Sequence, residues 1–280
     1  MPPFPTLPTT ISTLLSLETV IARLAAQDAL EGVLLLGTTG SGALTPSSDY
    51  DVLVVTAAPT PLWHVLTTVD GRLTEVYVVP MAEIAALGAM IPFVAHTDSR
   101  PALLARWLLR GRIVADRSGR LAHAHAQLQT GGYRFTVWSE AELYRYWFKI
   151  NYDLRETERL LPAADDPVRA TTIDMRLLYC LPEVWVSYFR FRGLPWDGDK
   201  AAIAYLTQHD PAFLTAFRAC HATSDRRQRL TYYRDLAAQA TAPVGGLWRA
   251  EVGGIQLADN TAWSLETLRR GLSLWDMWIQ

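Results

Sequence analysis

The stretch from Leu34 to Val55, LLLGTTGSGALTPSSDYDVLVV, constrains this chain more than any other part of it. It predicts an apolar strand, a turn rich in Gly, Thr and Ser, and a second apolar strand over Tyr50 to Thr56. Asp49 and Asp51 stand at the start of that second strand. Side chains of a strand alternate between faces, so the two carboxylates share one face while Tyr50 takes the other. They lie roughly 7 Å apart along the strand and repel each other unless a cation sits between them. Hard oxygen donors of this kind suit Mg²⁺ bridging to phosphate oxygens. Upstream, Gly37 and Thr38 end the first strand and offer backbone N–H groups and a hydroxyl, which suit a phosphate. The stretch reads as a triphosphate site with its metal.

Gly37-Thr38, Gly42, Pro46 and Ser48-Asp49-Tyr50-Asp51-Val52 together resemble the glycine-serine and Asp-x-Asp signature of the polymerase-beta-like nucleotidyltransferase superfamily. Thr38 stands where that family usually has Ser, and the hydroxyl is kept. Within the superfamily the chain is most similar to bacterial aminoglycoside adenylyltransferases of the streptomycin/spectinomycin type. The resemblance implies a third acid on a neighbouring strand, a place filled by Glu75 in GRLTEVYVVP. It also implies an α/β (α+β) catalytic domain with a small mixed sheet, followed by an all-α helical bundle.

The resemblance further implies an enzyme that moves AMP from ATP to a hydroxyl of a small molecule and releases pyrophosphate. An aminoglycoside-like acceptor is favoured. Asp49, Asp51 and Glu75 would serve two Mg²⁺ ions on the triphosphate. Glu75 either completes the second metal site or acts as general base, the base being the favoured role. Gly37 and Thr38 would bind the β- and γ-phosphates. Ser48 is open between a phosphate contact and a turn hydroxyl, and Thr39, Gly40 and Ser41 are read as shaping the turn. Lys200 would reach the triphosphate. Trp196, with Asp197 or Asp199, would wall a cationic acceptor.

At 280 residues the chain has room for about two domains with cores of their own. Its net charge of −2 lacks the basic excess of a nucleic-acid binder and points to a small-molecule acceptor. Cys180 and Cys220 have neither CxxC nor zinc spacing and read as core residues. His123 and His125 are two apart on an expected helix, which splits them between faces and argues against a metal pair. No apolar run reaches the roughly 18–20 residues of a membrane span. The start, MPPFPTLPTT, lacks the basic and apolar regions of a signal peptide, so a cytoplasmic protein is expected.

Along the chain, a helix is expected over Ile11 to Ala26 and a strand over Val33 to Leu36. A short helix over Leu62 to Val69, a turn at Asp70-Gly71 and a strand over Leu73 to Val79 follow. Helices over Met81 to Met90 and Pro101 to Arg110 precede a strand over Arg112 to Ala115. The catalytic domain is placed at 1–120 and the helical domain at 121–280. In the latter, Ser139 and Glu142 form a capping box for a helix to about Leu161. The next helix starts at Asp166-Pro167 and runs to about Arg192, with Pro182 expected to kink or split it. Asp210-Pro211 and Ser224-Asp225 mark two more starts, and a last helix begins near Ser264. Trp138, Trp147, Trp185 and Trp248 are read as core, and Arg190 and Arg192 as complements to a helix end.

Two other functions fit the same motif. One is AMP transfer to a protein side chain, as in nucleotidyltransferases of toxin–antitoxin systems, although those single-domain forms lack a helical bundle. The other is nucleotide binding without catalysis, which the presence of all three acids disfavours.

Overall fold

A computed structural model describes residues 15–91, 93–96, 99–136, 138–249, 254–258 and 261–279. The chain divides into two compact units, Met1–Thr136 and Val137–Gln280. In the first, α1 (Leu17–Ala25) precedes β1 (Leu30–Leu35), α2 (Gly37–Ser41) and β2 (Tyr50–Thr56). There follow β3 (His64–Val69), β4 (Arg72–Pro80), α3 (Met81–Gly88), β5 (Phe93–His96), α4 (Arg100–Arg110), β6 (Arg112–Asp116), α5 (Arg120–Gly131) and β7 (Tyr133–Thr136). Five strands make one mixed sheet in the order β3-β4-β2-β1-β6, in which β2 and β4 run parallel and the other neighbours antiparallel. β5 and β7 form a separate parallel pair.

The runs VLLL (33–36) and VLVV (52–55) are apolar without alternation because both faces of the central strands are covered. Val33, Leu35, Val52 and Val54 meet Leu17, Ile21 and Leu24 of α1 on one face. Leu34, Leu53, Val55 and Val79 meet Ile84, Leu104, Leu108 and Leu121 of α3, α4 and α5 on the other. α5 is therefore part of the first unit's core, and the division falls after Thr136 rather than at the expected boundary of 120. Of the helix expected from Ile11, positions 11–14 lie outside the described residues.

Residues 64–69 are a strand, which corrects the short helix expected over Leu62 to Val69. Asp70 (φ 54°) and Gly71 (φ 73°) both adopt positive φ, the requirement of a tight type I′ hairpin turn. That turn folds β3 back on β4, with His64 opposite Tyr77 and Leu66 opposite Glu75. Val65, Thr67, Thr68 and Val69 are β-branched and suit the pleated surface.

The second unit is helical among its described residues: α6 (Glu140–Leu160), α7 (Pro167–Arg190), α8 (Asp199–His209), α9 (Pro211–Ala222), α10 (Arg226–Thr241) and α11 (Leu265–Ile279). The capping box of Ser139 and Glu142 is formed, and Asp166, Asp210 and Asp225 each cap the helix that follows. α7 continues through Pro182 without being split. Pro182 is exposed and so is Leu178, whose carbonyl loses its intrahelical donor, so water can satisfy that group. On either side Leu177, Leu181, Val184 and Trp185 are buried in one core with Phe213 and Tyr233, which holds the helix together. Trp185 is core as expected, whereas Trp138, Trp147 and Trp248 are only half-buried. Arg192 donates to the carbonyls of Tyr188, Gln239 and Ala240 and thereby complements two helix ends. Among the described residues no helix is long and apolar enough to cross a membrane.

Cys180 and Cys220 are both buried, and burial is the main cause that pushes their thiols up to about 12 and about 11. A buried thiol with so little thiolate is a poor nucleophile. Neither is expected to react with a maleimide or an aromatic disulfide at pH 8 until the protein is unfolded. Mass spectrometry before and after denaturation checks this, and a native adduct at either position would refute it.

Candidate active site

Asp51 is the second residue of β2, and its Cα pairs with that of Glu75 on the parallel neighbour β4. Asp49 lies two residues earlier, on the same face as Asp51. The covered hydrophobic part of this face starts at Leu53 and Tyr77, so the three acids occupy the end of the sheet left beyond the helices. Asp49, Asp51 and Glu75 are each half-buried.

The Gly-rich turn is a single helical turn, α2, which starts at Gly37 with φ 49°. A methyl group on Gly37 would stand 3.1 Å from Asp51 Oδ2, a tight contact that the carboxylate would have to yield to, and the positive φ itself favours glycine here. Gly40 is tighter still: a Cβ would meet the Leu35 carbonyl at 2.3 Å. Thr39, buried behind the turn, joins the two parts of the site. Its hydroxyl accepts from the Asp51 N–H (3.1 Å) and donates to the Asp49 carbonyl (3.3 Å). Thr39 thus shapes the turn, as expected.

Arg72, at the start of β4, donates from Nη1 to the carbonyls of Thr45 (2.6 Å) and Ser48 (2.8 Å) and so clamps the loop that delivers Asp49. Ser48 is buried, and its Oγ accepts the Thr45 N–H at 2.9 Å. Of the two roles left open for Ser48, its geometry is that of the turn hydroxyl. Thr38 is half-buried beside exposed Gly37.

Glu75 has partners that the sequence reading missed. Tyr77 donates its hydroxyl to Glu75 Oε2 at 2.5 Å, and His64 Nε2 stands 3.8 Å from the same oxygen. Tyr77 follows Glu75 by two positions, so the strand period already placed both on one face. The His64 ring stacks on Tyr77 at 4.7 Å and 13°, and Trp107 of α4 lies 4.5 Å from it. Burial first, then the hydrogen bond to Glu75 and the charges of Glu75, Asp51 and Asp49, push the Tyr77 phenol well above its ordinary range. The phenol therefore stays a donor throughout neutral pH, and all three carboxylates act on one point.

Asp49 and Asp51 have the hard oxygens and shared face that a Mg²⁺ ion takes, and Glu75 lies in register beside them. Among the described residues no three His, Cys, Asp or Glu side chains are drawn together closely enough to enclose a metal. Mg²⁺ is commonly held by one or two carboxylates, with substrate phosphates and water completing its octahedron, so the pair Asp49 and Asp51 fits the ion without a closed cage.

The other expected residues belong to the second unit. Lys200 is exposed in the first turn of α8, after exposed Asp199. Asp197 is half-buried. The Trp196 indole packs edge-on against Trp185 (6.5 Å) and Phe189 (5.4 Å), so part of its surface belongs to the helical core. Arg190 pairs with Glu183 (2.7 Å) and lies over the Tyr146 ring at 3.9 Å. His123 is exposed and His125 half-buried on α5.

No family model matches this chain, and no curated protein matches it. Among solved structures it is similar to the crystal structure of a nucleotidyltransferase-like protein from Exiguobacterium sibiricum 255-15. The TM-score is 0.40 at 13% identity, covering 81% of this chain and 76% of that one. A likeness at that level decides nothing about chemistry, which has to be argued from the site.

Loss of the Thr39 hydroxyl is expected to loosen both acids at once. Thr39→Val keeps the shape but leaves the Asp51 N–H without its acceptor, a cost of about 1–3 kcal/mol for a buried donor. Urea unfolding should register that loss. A variant as stable as the parent would show that the bond contributes nothing.

Proposed function

We propose that this chain is a Mg²⁺-dependent nucleotidyltransferase that moves AMP from ATP to a hydroxyl of a small molecule and releases pyrophosphate, with an aminoglycoside-like acceptor favoured. The observation that carries the reading is the register of Asp51 with Glu75 on adjacent parallel strands, directly beside the close approach of Gly37. A glycine turn, an Asp-x-Asp pair and a third acid form a set that hydrophobic packing does not require.

In this reading Asp49 and Asp51 hold the cation, which when bound neutralises the triphosphate and favours departure of pyrophosphate. Gly37 and Thr38 contact the β- and γ-phosphates through N–H groups and a hydroxyl. Glu75 takes the proton of the acceptor hydroxyl. Thr39 and Arg72 keep the two aspartates in place. Lys200, Trp196, Asp197 and Asp199 are proposed for the triphosphate and a cationic acceptor.

The test is pyrophosphate release with ATP and Mg²⁺ across a panel of aminoglycosides and lincosamides, beside the Asp51→Asn variant. Acceptor-dependent release that the variant lacks supports the reading. Transfer of label from ATP to protein in a cell lysate, with no small molecule modified, would replace it with protein modification.

A further inference from the structure

The carboxylate of Glu75 is held asymmetrically. The Tyr77 hydroxyl at 2.5 Å and His64 Nε2 at 3.8 Å both address Oε2, and among the described residues neither a hydrogen bond nor an ion pair reaches Oε1. The last torsion of a glutamate is broad and nearly two-fold, so a carboxylate without such a bond presents either oxygen in many orientations. A short bond to a phenol removes that freedom only if the phenol is itself fixed.

Tyr77 is fixed from several sides. His64 of the edge strand stacks flat on it, Trp107 of α4 lies at 4.5 Å, and Trp63 lies at 5.7 Å. Trp63 is in turn held by the Arg100 guanidinium 3.8 Å above its ring, and Arg100 forms a two-pronged pair with Glu83. Packing of the ring would be served equally by phenylalanine. The hydroxyl is the one part of Tyr77 that packing does not explain, and its hydrogen bond goes to the acid in register with Asp51.

We propose that Tyr77 is a positioning residue for the transfer step: its hydroxyl holds Oε2 of Glu75 so that Oε1 receives the proton of the acceptor hydroxyl. The inference rests on the nucleotidyl-transfer reading. In the step, the acceptor O–H proton passes to Glu75 Oε1 and the acceptor oxygen forms a bond to the α-phosphorus of ATP. The bond from that phosphorus to its bridging oxygen breaks, and pyrophosphate leaves with the electron pair. His64, Trp107 and Trp63 contribute by keeping the phenol still, in the manner of a supporting shell around a reacting group.

The experiment is a double-variant cycle on turnover, with ATP, Mg²⁺ and the same acceptor panel. Tyr77→Phe is expected to lower kcat roughly 10- to 100-fold, the scale for misplacing a reacting group, with the KM for ATP unchanged. The combination with Glu75→Gln should be no slower than Glu75→Gln alone, because Tyr77 acts only through that acid. Losses that multiply in the double variant, or an equal effect on KM, would overturn the positioning role while nucleotidyl transfer stands. A parent protein silent across the panel would overturn the functional reading, and the role of Tyr77 with it. A crystal structure of Tyr77→Phe supplies a readout apart from turnover: a turned Glu75 carboxylate supports the proposal, and an unmoved one refutes it. Should Tyr77→Phe fail to fold, Trp107→Phe loosens the same clamp and must show the same kcat loss and the same masking by Glu75→Gln.

Discussion

Replacing Asp51 by Asn is expected to lower acceptor-dependent pyrophosphate release by roughly 10³-fold while leaving the protein at least as stable as its parent. The substitution keeps the size of the side chain and removes one charge. A cation on the triphosphate contributes several kcal/mol to charge stabilisation, and about 4 kcal/mol corresponds to that factor. Stability should move the other way. Asp49, Asp51 and Glu75 all act on the Tyr77 phenol, so three carboxylates repel one another at one end of the sheet. Two charges roughly 7 Å apart at a half-exposed site repel by on the order of 1 kcal/mol, and neutralising one relieves it. Turnover and urea unfolding on one preparation test both signs. A stable variant with undiminished turnover would remove Asp51 from the chemistry, and a destabilised one would show that Asp51 serves the fold instead.

The largest loss of stability is expected from Phe213→Ala. Phe213 is fully buried near the start of α9, with its ring 4.4 Å from Tyr188 and 6.3 Å from Trp185, both of α7. The Asp210 cap survives the change, because its carboxylate accepts the Phe213 backbone N–H (3.0 Å) and the Tyr188 hydroxyl (2.8 Å). Burial, followed by the bond to Asp210, pushes the Tyr188 phenol up to about 12, so that donor is intact at assay pH. What is lost is the ring itself, and truncating a buried phenylalanine costs about 3–5 kcal/mol. Eight of the ten tryptophans, all but Trp63 and Trp107, lie in the unit Val137–Gln280, so indole fluorescence during urea unfolding reports mainly on it. A midpoint shift worth less than 1 kcal/mol would mean that the core closes over the missing ring.

Much of this protein is legible along the chain. The apolar runs before Gly37 and after Asp51 demand strands covered on both faces, and α1, α3, α4 and α5 cover them. Ser139 with Glu142, Asp166 before Pro167 and Asp210 before Pro211 each mark a helix start, because a cap is satisfied within four residues of itself. The shared face of Asp49 and Asp51 follows from the two-residue period of a strand. These signals act over a few residues, which is why a linear reading captures them.

Contacts between distant residues decided the rest. Leu62 to Val69 is short enough to serve as helix or strand, and pairing with β4 across the Asp70-Gly71 turn made it a strand. Pro182 does not split α7 because it falls on the wet side of a helix whose other side is locked into a core. Residues 121–128 read as the opening of a helical domain until Leu121 and Leu128 are seen packed against the sheet's core. At the site, the chain names Asp49, Asp51 and Glu75 one by one. Only strand pairing sets Glu75 against Asp51, and only the edge strand and α4 bring His64 and Trp107 onto Tyr77. The sequence determined which groups are present and which face of its own strand each one takes. Register and clamping depend on atoms far apart along the chain, so the tertiary structure alone could decide which groups meet.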